Sequence, residues 1–232
     1  MLIIGHRGAA GLAPENTMES LRAGVAAGVD ILEFDIRLTK DNIPVVIHNA
    51  TTTKTHNTRI VVAKHTLSEL EAMELFPTIP TLEDVLDEFF GSILLNIELK
   101  VKGSATIVMD LLKRRYIKRK KDWHNILLSS FRAKELLRAR AMSAHVPLAM
   151  LHDQNPFLFI AYERRLHLSA VGFHRLYVNR LAVEIAHRIG LFCYAYTVDR
   201  PYGAFILSSQ TNIDGIVTNK PDIILSELKK SA

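Results

Sequence analysis

Glu33 and Asp35 stand two residues apart inside the apolar run Ile31-Leu32-Glu33-Phe34-Asp35-Ile36. In an extended strand, side chains two apart share a face. The two carboxylates would therefore crowd one another while losing water. A hard divalent cation, Mg²⁺ or Ca²⁺, takes oxygen ligands and removes that conflict. Arg37 or Lys40 is the alternative counter-charge. Glu98, in Asn96-Ile97-Glu98-Leu99-Lys100, can supply a third carboxylate from a nearby strand. His6 and Arg7 follow the run Leu2-Ile3-Ile4-Gly5, and His48 ends Pro44-Val45-Val46-Ile47. Two imidazoles offer a proton acceptor and a proton donor. Arg7 offers a planar fork for phosphate oxygens, and Lys100 adds positive charge. Together these groups suit a phosphodiester, whose charge builds up in the transition state.

Such residues work only if strand ends bring them together. Strands are expected at Leu2–Gly5, Ile31–Ile36, Ile93–Glu98, Ile126–Ser129, Leu148–Leu151, Ala170–Phe173, Phe192–Thr197 and Gly215–Thr218. Most are short and apolar throughout, as in a parallel sheet covered on both faces. Helical patterns lie between them, over 16–28 with Asn16 and Glu19 as its cap, then 103–120, 132–144, 154–165, 180–189, 201–209 and 222–230. Thr66 with Glu69 and Thr81 with Asp84 read as capping boxes. Eight such units predict a (β/α)₈ TIM barrel in one domain over residues 1–232. An open doubly wound sheet is the alternative, but no Gly-x-Gly-x-x-Gly follows any strand. A ninth run, Pro44 to His48, is too close to the second strand for a parallel crossover and should return as a hairpin. In that register His48 lies opposite Glu33, Asp35 or the residue between. Residues 49–65 form a short irregular insertion after it.

With 232 residues, 48% of them hydrophobic, the chain can bury its core without disulfides. Its one cysteine, Cys193, lies in an apolar run and reads as buried and inert. No signal peptide fits before the first strand and no run is long enough to span a membrane, so a cytoplasmic location is expected. The net charge of +5 comes largely from Lys113 to Lys121. That stretch reads as the basic last turn of a solvated helix, with weak contact to an anionic membrane surface as the second reading. Nucleic acid is not an expected partner, since basic and aromatic residues are not interleaved.

The motifs Gly5-His6-Arg7-Gly8, Ala13-Pro14-Glu15-Asn16-Thr17, Glu33-Phe34-Asp35, Leu38-Thr39-Lys40-Asp41 and Val46-Ile47-His48 resemble the glycerophosphodiester phosphodiesterase family. So do Asn96 to Lys100, Leu128 to Phe131, Tyr196 to Asp199 and Asp214 to Asp222. The resemblance runs in order over nearly the whole chain. It implies a barrel of the phosphatidylinositol-phospholipase-C-like type. It also implies metal-dependent hydrolysis of a small-molecule glycerophosphodiester to glycerol 3-phosphate and an alcohol, through attack by the glycerol 2-hydroxyl. In this sequence His6 and His48 match the acid/base pair. Glu33, Asp35 and Glu98 match the metal ligands, Arg7 and Lys100 the phosphate contacts. Tyr196 stands where the family often has Trp and should form an aromatic wall of the substrate pocket.

Asn49 departs from the family's His-Asp pair. It follows His48 on an extended segment and is expected to face away from the site. The short insertion predicts an open pocket. A lysophospholipase-D-like activity and a non-catalytic phosphodiester-binding barrel are the competing functions. A barrel acting on a phosphorylated sugar would leave the three carboxylates unexplained.

Overall fold

The computed structural model describes residues 1–56 and 58–230. Its strands are β1 (Leu2–Gly5), β2 (Ile31–Leu38), β3 (Pro44–Val46), β4 (Leu94–Leu99), β5 (Ile126–Ser130), β6 (Leu148–His152), β7 (Ala170–His174), β8 (Phe192–Tyr196) and β9 (Gly215–Thr218). All but β3 are parallel, and β1 pairs with both β9 and β2, which closes an eight-stranded barrel. The hairpin strand β3 lies antiparallel on β2, with Ile36 opposite Val46. It takes the edge of β2 that β1 leaves after pairing with Ile31 and Leu32.

The helices are α1 (Met18–Ala27), α2 (Thr53–His56), α3 (Leu67–Glu71), α4 (Leu82–Phe89), α5 (Ser104–Leu111), α6 (Ala133–Met142), α7 (Leu158–Leu166), α8 (Arg180–Arg188), α9 (Pro201–Thr211) and α10 (Pro221–Lys230). Both expected capping boxes form, at Thr66 with Glu69 and at Thr81 with Asp84. Thr17, not Asn16, caps α1. The helix expected over 103–120 stops at Leu111, runs on as a π-helical turn over Leu112–Tyr116, and gives way to a 3₁₀ turn over Lys120–Asn125. Lys113 to Lys121 is therefore not the last turn of an α-helix. Part of its charge is tied down, since Arg115 pairs with Glu83 and Asp87 on α4.

Two apolar layers hold the barrel. Outward strand residues such as Phe34, Ile36, Ile97 and Phe173 pack under the helices, where Trp123 and Phe159 join them. Inside, Ile4, Ile31, Leu127, Ala149, Ala170 and Val217 fill the barrel with Tyr194. Gly172 makes room for that ring, because a Cβ there would come within 2.8 Å of the Tyr194 side chain. Cys193 points outward and is fully buried, and burial pushes its thiol up to about 12. No helix among the described residues is long and apolar enough to cross a membrane.

His152, at the end of β6, is a buried histidine within an aromatic cluster. Its ring stacks on Phe159 at 6.2 Å and meets Phe173 at 5.3 Å. Burial lowers its pKa to about 4. The unfolded chain takes this proton near pH 6.5, before the folded chain does. The stability due to neutral His152 is therefore whole above that pH and lost by pH 4. That loss is up to about 3 kcal/mol. His152→Phe should flatten the fall in unfolding free energy between pH 7 and 4, measured by urea denaturation. Equal slopes in both proteins would show that His152 does not carry it.

Candidate active site

At the carboxyl ends of the strands, β2 and β4 pair with Glu33 opposite Asn96 and Asp35 opposite Glu98. This register carries Glu33, Asp35 and Glu98 onto one inner face. Each offers a carboxylate oxygen, and these oxygens all lie within 4.8 Å of one another. Burial and the neighbouring carboxylates push Glu33 well up and Glu98 to about 7. Burial alone would also raise Asp35, but Lys100 and Arg7 hold it down to about 2. Lys100 Nζ lies 2.7 Å from Glu98 and 3.3 Å from Asp35. Arg7 Nε lies 3.4 Å from Asp35. Arg37, one of the alternative counter-charges, makes no ion pair with the cluster but adds positive charge from further off, felt by Asp35 and Glu98, while its Nε donates to the His48 carbonyl at 2.7 Å.

Three buried carboxylates have only two cations in direct contact, one of them shared with Glu15, and burial makes poorly offset charge costly. The donors are all oxygen, and the two glutamates are pushed toward protonation. These residues therefore fit a hard divalent cation.

Gly8 explains how Arg7 reaches this cluster. The backbone turns at Arg7 (φ 53°) and Gly8 (φ 87°), and a Cβ on Gly8 would fall 2.4 Å from the Ser20 backbone. The turn points the Arg7 N–H at Glu33, to which it donates at 2.8 Å, and lets its guanidinium meet Glu15 at 2.7 Å. Glu15 also pairs with Lys54 of α2. It thus ties the turn after β1 to the insertion.

His6 continues β1 into the site. Its Nδ1 lies 2.7 Å from Asn219 Oδ1. Asp199 fixes the orientation of that amide, accepting from Asn219 Nδ2 at 2.8 Å and from its backbone N–H at 2.7 Å. Nδ1 therefore carries the proton and Nε2 keeps a lone pair. Burial, and then Arg7, lower His6 to about 4, so it is neutral at pH 7.

His48 lies just past the hairpin ladder, in one of the registers expected of it. The β2–β3 ladder ends at Val46, and the Ile47 N–H donates to the Asp35 carbonyl at 3.0 Å. Continued, the register sets His48 opposite Phe34, the residue between the carboxylates. The chain leaves the extended form there, so strand alternation no longer decides where side chains point. Asn49 is the correction that follows. It does not face away, since its Oδ1 lies 2.8 Å from His48 Nδ1. Burial lowers the pKa of His48, and Asp35 opposes that shift.

Asn16 is a further correction. Taken from the sequence as a helix cap, it sits at φ 59° and turns its amide onto Asp35. It donates to Oδ2 at 2.9 Å and accepts from the Asp35 N–H at 3.1 Å. Tyr196 lines the pocket with His6, Glu33, Glu98 and Phe131. It meets Phe131 edge-on at 5.9 Å, and its hydroxyl donates to the His152 carbonyl at 2.9 Å. His187, Cys193 and Asp214 form a second group with metal-ligand spacing. There Asp214 already accepts from the Cys193 N–H and bonds His187 Nε2, which accounts for the group as a structural tie.

Residues 6–223 match the Glycerophosphoryl diester phosphodiesterase family. The protein YhdW of Bacillus subtilis is 31% identical over 99% of this chain and 98% of its own. A glycerophosphodiester phosphodiesterase of Caldanaerobacter subterraneus is 29% identical, over 99% of this chain and 98% of its own. A solved phosphodiesterase of Oleispira antarctica, in complex with the product sn-glycerol-3-phosphate, superposes with a TM-score of 0.86 at 24% identity. That alignment covers 99% of this chain and 97% of the other.

Proposed function

The chain belongs to the glycerophosphoryl diester phosphodiesterase family, and from that premise we propose that it hydrolyses a glycerophosphodiester to glycerol 3-phosphate and an alcohol. One observation carries the reading. Three buried carboxylates share a site with two histidines whose Nδ1 atoms are both bound to asparagine amides. That arrangement leaves both Nε2 atoms for proton transfer.

Glu33, Asp35 and Glu98 would hold a divalent cation, Mg²⁺ or Ca²⁺. Bound there, it supplies positive charge to the phosphate oxygens. Arg7 and Lys100 are close enough to the carboxylates to share the same phosphate. His6, fixed with a free Nε2 lone pair, takes the proton from the attacking glycerol 2-hydroxyl. The bond from phosphorus to the alcohol oxygen breaks, and His48 delivers a proton to that oxygen. Water then opens the cyclic phosphate in the reverse sense. Asn49 suits the donor role. Its Oδ1 accepts from His48 Nδ1–H, as Asn219 does at His6, so the proton that leaves Nε2 comes from the charged imidazolium. Asn49→Asp should therefore change kcat by a modest factor and leave the metal requirement in place, as read by steady-state rates with and without chelator. Loss of that requirement would contradict this role.

Asn219 is a positioning residue for His6. Asn219→Ala should lower kcat by about 10² while KM stays close to its wild-type value, because the imidazole loses its tautomer and its aim. A change confined to KM would refute this role. The activity itself is tested by incubating the protein with glycerophosphocholine and Mg²⁺ or Ca²⁺ and identifying the products. Glycerol 3-phosphate and choline in equal amounts are expected. Glycerol with phosphocholine would place the cut on the wrong side of phosphorus.

A further inference from the structure

Beside the reaction pocket, on the same end of the barrel, lies a second cavity. The reaction pocket encloses only ≈ 40 Å³, so much of any diester must lie outside it. The neighbouring groove has ≈ 640 Å³. Phe131 lines both, and Lys100 Nζ stands 5.8 Å from the centre of its ring. A substrate whose phosphate meets Lys100 and Arg7 can therefore pass along Phe131 into the groove.

The groove has an apolar floor, from Leu158 and Tyr162 of α7, and a cationic rim. Lys102 follows β4, while Arg132 and Lys134 follow β5. All three are solvent-exposed. Arg132 spends Nε on the Lys100 carbonyl at 2.9 Å, which anchors its guanidinium between the two cavities. The lining carboxylate, Glu135, is buried and already satisfied by Arg138 and by the Gly103 and Ala105 N–H groups. The rim therefore keeps three positive charges that no carboxylate of the groove offsets. Asp153 acts on Tyr196 and is not part of the groove lining.

We infer that the groove receives the alcohol half of the substrate and selects an anionic alcohol, one bearing a second phosphate, over a cationic one. The inference rests on the hydrolytic reading above. Arg132 and the two lysines would flank the distal phosphate, and the aliphatic or ring carbons would lie against Phe131.

Wild-type protein would be assayed on glycerophosphocholine, glycerophosphoinositol and glycerophosphoinositol 4-phosphate, with bis(p-nitrophenyl) phosphate as a generic diester. We expect kcat/KM for the 4-phosphate to exceed that for the choline ester by about tenfold, from several exposed ion contacts acting together. The advantage should shrink in high salt, which screens exposed charges. In the double variant Lys102→Glu, Lys134→Glu, checked for fold by circular dichroism and Tm, the preference should vanish or invert. Equal kcat/KM for the choline ester and the 4-phosphate in wild type, or an unchanged preference in a folded double variant, overturns the groove assignment. Hydrolysis of none of the four diesters would instead defeat the hydrolytic reading itself.

Discussion

His6→Ala should lower kcat by about 10²–10⁴, the range set by loss of a general base. The expectation follows from how completely the fold specifies that ring. Asp199 orients Asn219, Asn219 holds Nδ1, and burial with Arg7 keeps the imidazole neutral. The protein should stay folded, because the barrel interior below the site is filled by Ile4, Val217 and Tyr194. His48→Ala should cost a similar factor by a separate proton transfer. The double variant should then be scarcely worse than either single one, as groups acting in one step are not additive. Steady-state kcat for the three variants reads this out. A folded His6→Ala protein within a few-fold of wild type would show that the base lies elsewhere.

The strand-borne part of this site was legible in the sequence. Glu33, Asp35 and Glu98 interrupt apolar strands, and the period of two together with the parallel register puts them on one face. The eight strands and the hairpin were legible for the same reason. What escaped the sequence lies in turns and long-range contacts. Asn16 takes a left-handed conformation, so a residue that reads as a helix cap becomes a clamp on Asp35. Asn219 lies 213 residues from His6 and meets it only because β9 pairs with β1. His48 and Asn49 sit beyond the last ladder pair, where alternation fails. The Asp199–Thr218 and Asp199–Asn219 bonds could have been suspected, since both segments belong to the motifs quoted for the family.

Removing the divalent cation should abolish turnover. The carboxylates give the reason. Without a cation, Glu33 and Glu98 are pushed toward protonation, and Asp35 is held down by Lys100, Arg7, His48 and the Asn16 amide. Chelation should therefore silence the wild type, and Mg²⁺ or Ca²⁺ should restore it. Glu98→Gln removes one charge and keeps the shape. It should weaken cation affinity by about 10–100-fold and leave Tm near the wild-type value. Asp35→Asn should be worse on both counts, since it also removes the carboxylate that Lys100 and Arg7 share and leaves each with a single acidic partner, Glu98 and Glu15. Thermal unfolding of both variants separates the two effects.

One cation on Glu33, Asp35 and Glu98 is what should make this site hydrolytic. The most direct measurement titrates Mg²⁺ or Ca²⁺ into exhaustively chelated protein, following binding by calorimetry and glycerol 3-phosphate release in parallel samples. The prediction is one cation per chain, with occupancy and rate rising on the same curve, and both curves shifted to higher concentration by Glu98→Gln. Full turnover before any cation has bound, or a binding curve that Glu98→Gln leaves in place, would contradict it.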